Sequence, residues 1–288
     1  MIVDLVQVTT RDGVRLDGSQ QTSPKKAAGP QAVDAILCVH GTGGSFYSSA
    51  LFDTVSAWFL ELGISVLRVN TRGHDLMSTA ATSQGGRRQG AAYEVVDDCR
   101  HDLAAWTELL GVRGFCRIGL VGHSLGAVKC IYALAQETHA SVACLIALSP
   151  PRLSYSHFAA SSQGAEFLQA FTLAEQHVRA GQQGTLLDVT IPLPFVVTAG
   201  GYVEKYGIEE RYNFLKFIAR VPRPTFVTFG SLELESNMAF RGLPELLAPI
   251  AAAHGKMQVT VIPNADHFYS STRSEVVARV QQWLQTVS

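Results

Sequence analysis

The 288-residue sequence predicts an α/β protein. The expected form is a mostly parallel central sheet of about eight strands, helices on both faces, and a helical cap inserted in the second half. Three observations carry that expectation. Short apolar runs of strand length, such as 33–39 (VDAILCV) and 142–148 (VACLIAL), alternate with amphipathic helical stretches, the pattern of strands buried on both faces. The alternation breaks once, from about 150 to 221, over a length too great for a plain crossover. That stretch carries 10 of the 25 aromatic residues in a quarter of the chain, so it reads as a cap packed over the C-terminal edge of the sheet. The expected division is a core of 1–149 and 222–288 with a cap of 150–221.

Taken in order, residues 3–9 alternate apolar and polar, and 14–16 follow the Asp12-Gly13 turn, a hairpin signal. These two strands are expected to form an antiparallel edge. Residues 22–32 (TSPKKAAGPQA) read as a polar loop. The strand 33–39 runs into the glycine-rich turn His40-Gly-Thr-Gly-Gly44. A helix is expected over 46–62, with Phe52, Val55, Trp58, Phe59 and Leu62 on its apolar face, stopped by Gly63. A short strand covers 64–69 and a loop 71–91. An amphipathic helix is expected from 92 to 110, a strand at 117–121, a helix at 125–136 and the strand 142–148, which ends in Ser149-Pro-Pro151. Strand 225–229, helix 243–253, strand 257–262 and helix 273–287 finish the chain. There is no internal repeat and no low-complexity tract.

Composition excludes several classes. Hydrophobic residues make up 47% and charged residues 16%, which leaves ample material for a core and rules out a disordered chain. A net charge of −1 argues against a general nucleic-acid binder. No apolar run approaches the roughly 20 residues of a membrane span, and the start, with Asp4 before any apolar block, does not read as a signal peptide. The five cysteines (Cys38, Cys99, Cys116, Cys130 and Cys144) are odd in number, lack a CxxC pair and mostly sit in apolar runs. They read as buried reduced thiols of a cytoplasmic protein, and no clustering suggests zinc.

The chemistry concentrates in four places. Gly122-His-Ser-Leu-Gly126 fits G-x-S-x-G, follows the strand RIGLV and opens the helix LGAVKCIYALAQ. That is the strand–turn–helix setting of a nucleophile elbow, in which Ser124 takes a strained backbone conformation at a helix N-terminus. A serine needs a base, and His267 in Asn264-Ala-Asp-His-Phe268 is the one histidine placed at a strand end late in the chain. His40 and His123 flank glycine turns and are expected to orient loops; the other six read as surface residues. The base needs a carboxylate, yet no Asp occurs between Asp188 and Asp266. In the loop after strand 225–229 (Gly230-Ser-Leu-Glu-Leu-Glu235), Glu233 stands in a G-x-x-acid arrangement and Glu235 is second. Asp266 reads as structural. The N–H groups of Thr42 (or Gly43) and Leu125 are placed to hold an oxyanion. A phosphate-binding turn is disfavoured, since no P-loop or dinucleotide fingerprint is present.

HGTGG at 40–44, NTRGHD at 70–75, GHSLG at 122–126, NADHF at 264–268 and the order Ser–acid–His make the chain similar to the α/β-hydrolase superfamily. The resemblance covers nearly everything outside 150–221. It implies Ser124 as nucleophile, His267 as base, Glu233 as acid in place of the commoner Asp, and Thr42 with Leu125 as oxyanion donors. Arg72, Gly73, His74 and Asp75 match a structural loop. The implied reaction is hydrolysis of a carboxylic ester through an acyl-enzyme, with no metal or other cofactor, on a small-molecule substrate. Phe158, Phe167, Phe171, Phe195, Tyr202 and Tyr206 would favour an apolar or aromatic acyl or alcohol part. An acyltransferase, thioesterase or peptidase with the same triad, or a non-catalytic binding module, are the alternatives.

Overall fold

The computed structural model describes residues 3–25 and 31–287. Strands β1 (Asp4–Thr9) and β2 (Arg15–Gln21) form the expected hairpin, with β2 running on to Gln21 instead of stopping at 16. The polar loop expected at 22–32 lies partly on 26–30, outside the described residues. β3 (Ala35–Val39), α1 (Ala50–Glu61) and β4 (Ser65–Val69) follow. α1 starts at Ala50 and not at 46. Ser49 caps it by accepting from Phe52 N, while Phe46 N is held outside the helix by Asn70 Oδ1.

The expected loop 71–91 contains a small hairpin, β5 (Ser78–Thr82) and β6 (Gly85–Gln89), tied to the sheet edge by a bridge from Thr82 to Val14. The helix expected from Ala92 begins later: α2 spans Cys99–Val112 after a 3-10 turn at Val96–Asp98. Tertiary partners take the backbone before it. Ala91 N and Ala92 N donate to Asp75 O and Leu76 O, and Ala92 O accepts from Thr198 N, so local helical periodicity loses to these long-range bonds.

β7 (Ile118–His123), α3 (Leu125–Gln136) and β8 (Val142–Leu148) complete the centre of the core. Between β8 and the next core strand lie α4 (Tyr155–Ala159), α5 (Gly164–Arg179), a hairpin of β9 (Leu186–Val189) and β10 (Phe195–Thr198), α6 (Ala199–Tyr206) and two 3-10 turns. The chain ends with β11 (Thr225–Gly230), α7 (Ser231–Ser236), α8 (Leu243–His254), β12 (Met257–Ile262) and α9 (Arg273–Val287).

The eight-stranded sheet has the order β1-β2-β4-β3-β7-β8-β11-β12. From β4 to β12 every neighbouring pair is parallel; β1–β2 and β2–β4 are antiparallel. Successive residues of a strand point to opposite faces, and β3 obeys this closely. Ala35, Leu37 and Val39 join one apolar core with Leu103 and Trp106 of α2, Val128 of α3 and Leu247 of α8. Ile36 and Cys38 join the other, with Phe52 and Phe59 of α1 and Val280 and Trp283 of α9. Both faces of the parallel strands are thus covered, which is why their sequences read as unbroken apolar runs. The C-terminal ends of β3, β7, β11 and β12 then deliver their turns to one edge of the sheet, where such folds place their ligands.

Candidate active site

Ser124 sits between β7 and α3 with φ +56° and ψ −129°, a conformation L residues rarely adopt. The surroundings enforce it. A Cβ on Gly122 would lie 2.5 Å from Gly126 O, and one on Gly126 would lie 2.2 Å from Val39 O. Only glycine at these two positions lets the turn close against the neighbouring strand. A Cβ on Gly41 would likewise meet Ser124 Cβ at 2.8 Å, so the turn after β3 lies directly against the serine.

The three side chains singled out for the triad come together. Ser124 Oγ is 3.0 Å from His267 Nε2, and His267 Nδ1 is 2.6 Å from Glu233 Oε2. With the carboxylate as acceptor, Nδ1–H donates to Glu233 and Nε2 is left to accept from the serine hydroxyl. Glu235 is exposed and stands apart from this line. The segment 231–236 is the short helix α7 and not the expected loop. Glu233 is at its third position and accepts from Gly230 N at 2.7 Å through Oε1, so the start of the helix and His267 share one carboxylate. Oε1 also accepts from Ser149 Oγ at 2.6 Å. Ser149 Oγ is 2.7 Å from Tyr269 OH, which is 2.7 Å from Thr228 Oγ1. Ser149 and Tyr269 both have positive φ, +50° and +51°. Such strain persists where surroundings over-determine it and clusters at working sites. Burial, with the Glu233 carboxylate nearby, pushes the Tyr269 phenol well above its usual range, so it acts here as a neutral hydrogen-bonding group.

Backbone contacts fix His267 further. His123 Nε2–H donates to His267 O at 2.8 Å. Burial, reinforced by His267, lowers the His123 imidazole to about 3, so it is neutral. Asp266 accepts from Phe268 N and Ser270 N at 3.0 and 2.8 Å; it shapes the loop and does not reach the triad. The Phe240 ring lies 5.0 Å from the His267 ring.

His40 orients the other side of the site. Its Nε2 accepts from Thr71 N at 3.0 Å, which leaves Nδ1–H to donate to Gly41 O at 2.8 Å. Burial, then the nearby Lys129, lowers this imidazole to about 3 and keeps it neutral. Holding the Gly41 carbonyl sets the planar peptide it belongs to, and hence the direction of the Thr42 N–H. Leu125, the first residue of α3, carries one of the N–H groups that a helix leaves without an intrahelical acceptor. Thr42, Leu125, Ser124 and His267 all line one cavity of about 500 Å³.

Of the six aromatic residues expected to shape the substrate pocket, Phe158 and Tyr206 line that cavity. Phe167, Phe171 and Tyr202 pack ring against ring within the apolar core instead, and Phe195 lies under Lys205. Arg72 is structural: its guanidinium meets Asp12, Asp98 and Asp102. Four cysteines are buried and free, but Cys116 is exposed, contrary to the expectation for all five. His74, His101, His139, His157, His177 and His254 are half-buried rather than open surface residues.

Sequence reasoning missed two groups. One is the Ser149–Tyr269–Thr228 chain behind Glu233. The other is a buried cluster of Glu94, Lys129 and Lys205. A signal for the second was present: Lys129 is the single charged residue of LGAVKCIYALAQ, an otherwise apolar helix. Among the described residues no group of His, Cys, Asp and Glu is arranged to hold a metal ion, and no helix is long and apolar enough to cross a membrane.

The chain matches the model of the alpha/beta hydrolase family over residues 36–280. No curated protein matches the sequence. Solved structures of similar fold include the alpha/beta hydrolase GrgF from Penicillium sp. sh18, with 16% identity, 99% of each chain covered and a TM-score of 0.70. Est1E from Butyrivibrio proteoclasticus, solved with ferulic acid bound, matches with 16% identity, 98% of each chain covered and a TM-score of 0.66. The Pyrococcus furiosus esterase Pf2001 matches with 18% identity, over 99% of this chain and 91% of that one, at a TM-score of 0.64. At these identities the structural likeness speaks for the fold, and the match over most of the sequence speaks for the family. This chain belongs to the alpha/beta hydrolase family.

Proposed function

We propose that the protein is a serine hydrolase that cleaves a carboxylic ester of a small molecule with an apolar or aromatic part. The observation that carries this reading is the unbroken hydrogen-bonded line from Ser124 Oγ through His267 to Glu233, opening onto a cavity. Ser124 Oγ attacks the ester carbonyl carbon while its proton passes to His267 Nε2. The carbonyl oxygen becomes an oxyanion, accepted by the N–H groups of Thr42 and Leu125; such a donor contributes about 2.7–4 kcal/mol in acyl transfer. The C–O bond to the alcohol breaks as His267 returns the proton to the leaving oxygen. Water, deprotonated by the same nitrogen, then releases the acid and frees Ser124. Glu233 holds the productive tautomer of His267 and stabilises its cation. Residues 150–221 act as the cap: Leu153, Phe158, Leu193 and Tyr206 give the cavity its apolar wall. Esterases among the proteins of similar fold agree with this substrate class.

An assembled line of this kind is not needed by a binding module, which weighs against a non-catalytic role. The test is turnover of p-nitrophenyl butyrate by the wild type and by Ser124→Ala, with circular dichroism for both. The reading expects turnover that vanishes in the variant while the fold is retained. Full activity in Ser124→Ala would sink it. Product analysis in the presence of a competing alcohol or amine separates hydrolysis from acyl transfer.

A further inference from the structure

Lys205 of α6, on the cavity wall, belongs to a buried cluster with Glu94 in the turn before α2 and Lys129 in the middle of α3. Their side chains are at most 1% exposed. Lys129 Nζ is ion-paired to Glu94 Oε1 and donates to Thr71 Oγ1 at 2.9 Å. Lys205 Nζ lies 3.6 Å from Glu94 Oε2, too far for a hydrogen bond, and 5.4 Å above the centre of the Phe195 ring. Neither Lys205 Nζ nor Glu94 Oε2 has a hydrogen-bond partner among the described residues, though the two face each other as an ion pair.

The charge count is uneven. Lys129 neutralises Glu94, which burial pushes up but the two lysines pull down to about 2, so it is ionised. His40 nearby is neutral. Glu204, adjacent in α6, is turned to Tyr212 OH and Val96 N and is raised by burial to about 7. Lys205 shares that one carboxylate with Lys129: burial pushes its ammonium down while the Glu94 ion pair at 3.6 Å holds it up, and the loose pair leaves it donors to spare. A buried charge so loosely met is stabilised by a further acceptor. Its residue lines the same cavity as Ser124, and a lysine stem ends in freely rotating bonds. Leu153, Phe158 and Tyr206, which line the same cavity, are uncharged. Arg273 of α9, half-buried, is a second cation on the cavity wall, and its Nε is likewise buried without a hydrogen-bond partner among the described residues.

We propose that Lys205 binds a carboxylate of the substrate inside the catalytic cavity, so that the preferred ester carries a second, acidic group beyond an apolar spacer. This rests on the serine-hydrolase reading above and names the substrate class for that site.

The test compares p-nitrophenyl hemiesters of straight-chain dicarboxylic acids with p-nitrophenyl esters of monocarboxylic acids of matched length. In the wild type the ratio of kcat/KM, hemiester over neutral ester, should exceed 10 at an optimal chain length. In Lys205→Met it should fall to about 1 or below, chiefly through KM, and Lys205→Arg should restore part of it. Arg273→Gln should lower the ratio less than threefold. If no chain length favours the hemiester in the wild type, the proposal is overturned without need of any variant. It is equally overturned if Lys205→Met keeps the ratio, or if Arg273→Gln alone collapses it. Turnover of neutral esters with no preference leaves the serine-hydrolase reading standing; turnover of neither series defeats that reading itself.

Discussion

Two buried polar clusters beside one cavity follow opposite rules. On the triad side each oxygen of Glu233 is engaged: Oε2 by His267, Oε1 by Ser149 and Gly230. On the other side Glu94 Oε2 and Lys205 Nζ, both buried, meet only as a loose ion pair at 3.6 Å, with no hydrogen bond among the described residues. Buried polar atoms are nearly always paired, so the contrast is informative. A fully satisfied network fixes geometry before any ligand arrives, which proton transfer between serine and histidine requires. An unsatisfied group keeps its donors for something that is not yet there. The same contrast appears in the histidines. His40 and His123 are buried, neutral and hold backbone groups, whereas His267 bonds the side chains of Ser124 and Glu233.

The comparison is broken most forcefully at the acid. Glu233→Gln should lower kcat about 10³–10⁴-fold, because an amide no longer fixes the His267 tautomer, while Glu235→Gln should stay within about twofold, as expected of an exposed side chain. Steady-state kinetics on both variants checks this, and the reverse pattern would move the acid by two positions. In the opposite cluster, Lys129→Met leaves Glu94 without its hydrogen-bonded partner and should cost about 3–5 kcal/mol in urea unfolding. Lys205→Met leaves Glu94 its hydrogen-bonded lysine and loses only the looser 3.6 Å pair, so it should cost less than about 1–2 kcal/mol. Equal losses would mean the two lysines are interchangeable structural partners.

A smaller effect sharpens the triad side. Ser149→Ala removes one of the two donors to Glu233 Oε1 and should lower kcat about 10-fold with little change in KM, the scale of one hydrogen bond to a charged group. Tyr269→Phe, one step further back, should cost less. The smallest expected effect is on pH. His40 and His123 are held near 3 in the fold against about 6.5 in an unfolded chain. Between these values the unfolded state binds the protons, so their contribution is complete above pH 6.5 and is lost as pH falls toward 3. Tm measured from pH 7.5 to 4.5 should decline, and the decline should be shallower in His123→Gln by one proton's worth of slope. An identical slope would mean His123 is charged in the fold.

How much of this was legible depended on the range of the forces involved. The parallel strands were readable because burial on both faces leaves an apolar run of strand length, as in 142–148. The elbow and its glycines were readable because steric exclusion at Gly122 and Gly126 is local. Glu233 was found by elimination of Asp and by its spacing from Gly230; the helix that carries it was not, since six residues give too little periodicity. The start of α2 was misplaced because residues 91 and 92 bond to 75, 76 and 198, partners that no window around them contains. Ser149 and Tyr269 lie 120 residues apart, and Glu94 and Lys205 more than 100, so both polar clusters exist only once the sheet has formed. Within the inserted segment, aromatic content indicated packing but could not separate Phe158 and Tyr206 on the cavity from Phe167 and Tyr202 in the core.

The central claim is that Ser124 is activated by His267 and Glu233 next to an oxyanion site. The most direct measurement is the rate of labelling by a fluorophosphonate, followed by intact mass, for the wild type, Ser124→Ala and Glu233→Gln. The account predicts a single adduct in the wild type, none in Ser124→Ala, and labelling slowed by at least about 100-fold in Glu233→Gln. A folded wild type that does not react, or an adduct that persists in Ser124→Ala, would contradict it.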